Sequence, residues 1–188
     1  MPLPSTSAER RLIHTRSVRF EGYKRADGLW DIEARLTDVK TVDARLGSGL
    51  RPAGEPVHDM WIRLTIDRHL KVMDAVASID AVPYAGSCET IAPEFSRLAG
   101  LELLHGFRKA VNELFGGMRG CAHLTELLIQ FPTAAIQTLA SERRDNEDTG
   151  RKPFQLDNCH ALDTRGEAVR RFYPRWYRGA KTGTNESA

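Results

Sequence analysis

The chain has 188 residues, of which 41% are hydrophobic and 28% charged, and its net charge at pH 7 is +2. This composition is typical of a soluble globular protein with one substantial core. The small net charge argues against a general nucleic-acid-binding protein, and no apolar run is long enough to cross a membrane.

The chain begins with MPLPSTSAERR, which lacks the hydrophobic segment of a secretory signal. We therefore expect a cytoplasmic protein whose partner is a small molecule or another protein. The sequence also leaves open whether the chain forms a homodimer. We predict a disordered tail at 1–9, a single α+β domain at 10–140 and a charged loop at 141–152. Residues 153–179 are expected to pack on the domain, and 180–188 to form a second disordered tail.

Strands dominate the first half of the predicted domain. HTRSVRFEGYKR and GLWDIEARLTDVKTV are rich in β-branched and aromatic residues, and Asp27-Gly28 between them is a hairpin-type turn. After the loop LGSGLRPAGEP, the segment DMWIRLTID alternates apolar and polar residues, and KVMDAVASIDAVPY is a candidate neighbouring strand. These segments predict an antiparallel sheet of about four strands.

From Pro93 onward the apolar residues recur at helical spacing, up to the helix stop Gly116-Gly117. After Cys121 they fall at positions i, i+3, i+4 and i+7, which predicts an amphipathic helix that Pro132 kinks or ends. Strands followed by three to four helices predict an α+β fold, with the helices packed on one face of the sheet.

Cys121 and His123, in RGCAHLTELL, are the first candidate site. A thiol at the start of a helix lies near the positive end of the helix dipole, where the thiolate is favoured. Residues two apart in a helix point about 200° apart. The two side chains therefore share a site only if Cys121 lies at or before the N-cap. The alternative is a small buried cysteine beside a histidine at the edge of the core.

The other cysteines add candidates. The chain has three cysteines, an odd number without an export signal, so reduced thiols are expected rather than disulfides. Cys88 lies in PYAGSCETIAPEF, between the last predicted strand and the first helix, and Cys159 directly precedes His160. Cysteine, histidine and aspartate from separate loops can form a tetrahedral zinc or iron site.

His58 and Asp59 open a predicted strand in GEPVHDMWIRLTID. His58 is a candidate ligand or general base, and Asp59 a candidate ligand or orienting carboxylate. The alternative is a pair at a loop end that caps the backbone.

The segments DGLWDIEARLTDVK, GCAHLTELL and FQLDNCHALDTRGEAVRRFYPRWY resemble those of a bacterial family catalogued as domain of unknown function 2889. The resemblance covers nearly the whole chain. It implies no known activity.

In outline, VHDMWIRLTID, YAGSCETIAPEF and RGCAHLTELL also resemble the iron–sulfur scaffold fold of the NifU N-terminal and SufE kind, an antiparallel sheet followed by helices. Scaffold members bind zinc or a cluster with three cysteines and an aspartate. The resemblance implies ligands at Asp59, Cys88 and Cys121.

Two departures from that pattern change the expected site. Val57 stands where the first scaffold cysteine would lie, and Gly120 stands where a histidine precedes the late cysteine. With His58 or His123 as the replacement ligand, the site would be a mixed Cys/His/Asp site. Mixed ligation suits zinc or a mononuclear iron better than a sulfide-rich cluster.

We therefore predict a metal-binding protein, an accessory factor or a metalloenzyme, that holds zinc or iron. Its predicted ligands are Asp59, Cys88, Cys121 and His123, with His58, Cys159 and His160 as further candidates. One alternative is a thiol-dependent enzyme for a small acyl or carbonyl substrate, with Cys121 as nucleophile and His123 or His58 as base. The other is a non-catalytic interaction domain with structural cysteines.

Overall fold

The computed structural model describes residues 3–140, 142 and 150–179. Its contacts divide the chain into two compact units, Met1–Glu142 and Arg143–Ala188. The predicted tail at 180–188 and most of the charged loop at 141–152 lie outside the described residues. The packing of 153–179 on the domain stays a prediction.

The described part of the first unit contains the strands β1 (His14–Lys24), β2 (Trp30–Lys40), β3 (Ala44–Leu46), β4 (Gly49–Arg51), β5 (Pro56–Ile66) and β6 (Val72–Ala81). Its helices are α1 (Phe107–Phe115) and α2 (Ala122–Leu139), with 3-10 segments at Cys88–Leu98 and Gly117–Arg119. The second unit contains α3 (Glu167–Phe172) and 3-10 segments at His160–Leu162 and Pro174–Trp176. No helix in the described residues is both long and apolar enough to span a membrane.

Four of the described strands form an antiparallel sheet in the order β1-β2-β5-β6. All four segments predicted as strands contribute to it, and the α+β fold class is confirmed. The predicted loop between β2 and β5 contains a small additional hairpin, β3-β4.

The core lies on one face of this sheet, because apolar and polar residues alternate along the central strands. The buried series is Trp30, Ile32, Ala34 and Leu36 on β2, and Met60, Ile62, Leu64 and Ile66 on β5. Helix α2 packs across β1, β2 and β5 on this face. Phe131 of α2 meets Phe20 of β1 edge to face, with 5.2 Å between ring centroids.

The helical pattern that starts at Pro93 is divided in the structure. The backbone N–H groups of Gly100 and Leu103 donate to the carbonyls of Val72 and Leu70, and that of Val72 donates to Leu101. Because these bonds replace those of a continuous helix, α1 starts only at Phe107. In contrast, α2 continues through Pro132 to Leu139.

Gly22 allows α2 to approach β1 closely, because a Cβ atom at this position would overlap the side chain of Thr138. We expect Gly22→Ala to destabilise the fold by about 1–3 kcal/mol, as overpacking does elsewhere. Urea denaturation followed by circular dichroism measures this loss. Gly47→Ala is the control, because its Cβ would meet Tyr84 at an ordinary contact of 3.5 Å. Equal stability of the two variants would contradict this packing.

Candidate metal centre

Polar residues continue the buried face of the sheet at one end. On three neighbouring strands Arg16 pairs with Asp38, and Asp38 pairs with His58. Residues opposite each other in an antiparallel pair point to the same face. The register therefore places these three side chains side by side, next to the core.

Asp38 is the centre of this group and is only 4% exposed. Its Oδ1 accepts hydrogen bonds from His14 Nε2 at 2.8 Å and Arg16 Nε at 2.9 Å. Its Oδ2 accepts from Arg16 Nη2 at 2.9 Å and His58 Nδ1 at 3.0 Å. A buried carboxylate with this many donors is held in one orientation.

These donors also decide the charge of Asp38. Burial acts to raise the pKa of this carboxyl, but the hydrogen bonds from Arg16, His14 and His58 outweigh it and hold the pKa well below its usual value. The hydrogen bond to Asp38 in turn raises the pKa of Arg16. Asp38 is therefore an anion at neutral pH.

His123 brings α2 into the group. Its ring lies against that of His58, with 3.9 Å between centroids and 36° between planes. Its Nε2 is 4.0 Å from Asp38 Oδ2. The side chains of His58 and His123 are 14% and 26% exposed, so the group borders solvent.

Burial lowers the pKa of both imidazoles. For His58, burial is the largest effect and outweighs the opposing effect of the hydrogen bond that His58 donates to Asp38. For His123, burial is again the largest effect, followed by the charges of His58 and Arg16. Both rings are therefore neutral near pH 7, and neutral imidazole is the form that ligates metals.

The start of α2 is fixed by local contacts. Gly120 has no side chain because a Cβ atom there would be 2.7 Å from the Cβ of Phe115. Cys121 follows as the N-cap residue, the position that sharing a site with His123 requires. Its Sγ lies 3.9 Å from His123 Nδ1. The pair Arg16–Glu126, at 3.3 Å, ties β1 to the second turn of α2.

The strand that carries His58 is irregular at this point. The β2–β5 register shifts between Asp38 and Val39, and the β5–β6 register shifts between Asp59 and Met60. Such bulges re-aim side chains and are frequent beside functional sites.

Among the described residues, Asp38, His58 and His123 form a group whose ligand atoms all lie within 4.8 Å of one another. Ligand atoms that each bond one zinc ion at about 2.0–2.2 Å lie about 3–4 Å apart. Two imidazoles and one carboxylate are the donors of catalytic zinc sites and of mononuclear non-haem iron sites. The arrangement is therefore suited to a divalent transition metal.

The structure distributes the residues predicted from sequence over several places. His58 and His123 lie in the group, and Cys121 lies at its edge. Asp59 points to the opposite face of the sheet, where its carboxylate accepts from Arg35 Nε and Nη2 at 2.8 and 2.6 Å. Cys88 starts a 3-10 segment and packs partly buried against the core, outside the group.

The remaining candidates lie in the second unit. Cys159 is exposed, and His160 begins a 3-10 segment. Sequence reasoning did not predict Asp38, His14 or Arg16. One signal was present, because Asp38 stands in phase with the apolar residues of β2, a single acid on a buried face.

The chain was compared with curated proteins, solved structures and family models to establish which family it belongs to. No curated protein matches the chain. No solved structure matches it either, so the similarity to the NifU and SufE scaffold fold stays a prediction. A family model described as "Protein of unknown function (DUF2889)" matches residues 14–137, a stretch that encloses His14, Asp38, His58 and His123. Because this match covers well over half of the chain, the protein belongs to the DUF2889 family.

Proposed function

We propose that this protein binds one divalent transition metal ion, zinc or ferrous iron, through Asp38, His58 and His123. The observation that carries the proposal is the convergence of these three ligand atoms within 4.8 Å, next to the core. Burial of these polar side chains costs solvation free energy, which the hydrogen bonds to Asp38 partly offset.

The charge of the three proposed ligands favours a cation. Asp38 supplies one negative charge and the two imidazoles are neutral, so the ligands carry a net charge of −1 at neutral pH. His58 Nδ1 donates its proton to Asp38 in the metal-free protein. A bound ion would take the place of that proton at Nδ1, and the proton would move to Nε2 of the neutral ring. Arg16 donates to both oxygens of the carboxylate and fixes its orientation, the role that partners of ligating carboxylates have.

Three protein ligands leave at least one coordination position open. Structural zinc sites are closed by four protein ligands, whereas catalytic sites keep a position for water or substrate. The side chain of His123 is 26% exposed, so solvent reaches this proposed ligand. The proposal therefore favours a site where a small molecule meets the metal. The thiol-dependent enzyme and the interaction domain stay alternative predictions.

Metal analysis of protein purified without a histidine tag tests the proposal. After zinc loading and dialysis, we expect about one equivalent in the wild type and below about one-tenth in His58→Ala, because two ligands hold zinc poorly. His105→Ala is the matched control, since His105 is 81% exposed and lies outside the group. A wild type that retains its circular dichroism spectrum but binds below about one-tenth equivalent would contradict the proposal.

A further inference from the structure

We infer that Cys121 is a positioning residue that accepts a hydrogen bond from His123, and that it is not a ligand of the metal. The inference rests on the proposed metal centre and names a partner of that site. It reassigns a residue whose type and position predict direct ligation.

The geometry of the His123 ring carries this assignment. Nε2 faces Asp38, at 4.0 Å from Oδ2. Nδ1 faces Cys121, at 3.9 Å from Sγ. The two nitrogens of an imidazole point away from each other. A metal ion bound to Nε2 therefore lies on the far side of the ring from the sulfur.

The distribution of ligand atoms agrees with this. The group whose atoms lie within 4.8 Å of one another contains Asp38, His58 and His123, and it does not contain Cys121 Sγ. The sulfur instead contacts Met60 Sδ at 4.0 Å, on the core side of the sheet. The Cys121 backbone is held as the N-cap of α2, and its carbonyl accepts from the N–H of Thr125 at 2.9 Å.

A sulfur that accepts a hydrogen bond from a ligating histidine affects how tightly the metal is bound. When Nε2 binds the ion, Nδ1 carries the ring proton and needs an acceptor. Ligating histidines usually donate this proton to a partner that fixes the tautomer and the ring orientation, and loss of the partner weakens metal affinity about 10–100-fold. Cys121 is the acceptor that the structure provides.

Titration of the metal-free protein with Co²⁺, followed by absorption spectroscopy, tests the assignment. We expect visible d–d bands in the wild type, without the near-ultraviolet charge-transfer band that thiolate ligands produce. Cys121→Ala should weaken the Co²⁺ dissociation constant about 10–100-fold. Cys121→Ser should stay within a few-fold of the wild type, because a hydroxyl also accepts. Cys88→Ala is the cysteine control and should leave affinity unchanged.

Two results would overturn the role assigned to Cys121 without overturning the proposed metal centre. A charge-transfer band that disappears in Cys121→Ala would make the sulfur a ligand, and equal affinities of Cys121→Ala and wild type would leave it without a role. Absence of Co²⁺ binding by the wild type would instead overturn the proposed metal centre itself. If Cys121→Ala does not fold, NMR of the zinc-loaded wild type decides. A solvent-protected Nδ1–H signal from His123 supports the hydrogen bond, and a deprotonated Nδ1 contradicts it.

Discussion

Asp38→Asn is expected to abolish metal binding and to destabilise the fold, whereas Asp59→Asn should only destabilise the fold. Both aspartates make a two-bond pair with an arginine, Asp38 with Arg16 and Asp59 with Arg35. They lie on opposite faces of the same sheet. The two variants therefore separate the loss of an ion pair from the loss of a metal ligand.

The expected size of each effect follows from burial. Removing one partner of a fully buried pair costs about 3–5 kcal/mol. The Arg16 side chain is 38% exposed, so water solvates part of the remaining charge and we expect about 1–3 kcal/mol. Asp59→Asn should lose a comparable amount. For zinc affinity, the loss in Asp38→Asn should exceed the roughly 100-fold upper range for partners of a ligand.

Isothermal titration with zinc and urea denaturation measure both quantities in the two variants. Asp59 is also the carboxylate that the sequence pattern predicts as a ligand, so the comparison decides between two sites. If Asp59→Asn loses zinc while Asp38→Asn retains it, the metal centre described above is wrong.

Phe131→Ala is expected to cause the largest loss of stability, about 3–5 kcal/mol. Phe131 is fully buried, and its ring anchors the middle of α2 against Phe20 of β1. Truncation removes this aromatic contact and leaves a cavity beneath the helix. Because α2 carries His123, the same packing holds the metal centre over the sheet.

Urea denaturation measures this loss, with Met118→Ala as the control. Met118 is fully exposed in the 3-10 segment before α2, so its truncation should change little. A Phe131→Ala variant as stable as the control would show that α2 does not depend on this contact.

The sheet was predictable because its strands carry their own pattern. The segment HTRSVRFEGYKR corresponds to β1, and the alternation in DMWIRLTID corresponds to β5. The same alternation contains information about the site. Asp38 follows Leu36 in phase, and His58 precedes Met60 in phase, so each places a polar group on a buried face. Extension of the apolar series of β2 by one step would have added Asp38 to the candidate His58.

The convergence of these residues was not predictable from the patterns alone. The contact between Arg16, Asp38 and His58 depends on the register of three strands, and one strand's pattern does not specify how it aligns with its neighbour. His123 joins them only because α2 crosses β1, β2 and β5 with its N-terminus at this end of the sheet. The candidate ligands chosen for their nearness to cysteines were expected at loop ends, whereas Asp38 lies inside strand β2.

An anomalous-difference map, from crystals grown with zinc and data collected at the zinc edge, tests the central claim most directly. We predict one strong peak bonded to Asp38 Oδ2, His58 Nδ1 and His123 Nε2 at about 2.0–2.2 Å. Cys121 Sγ should lie outside bonding distance of this peak. Absence of a peak between these three residues, or a peak bonded to Asp59, Cys88 or Cys121, would contradict the account.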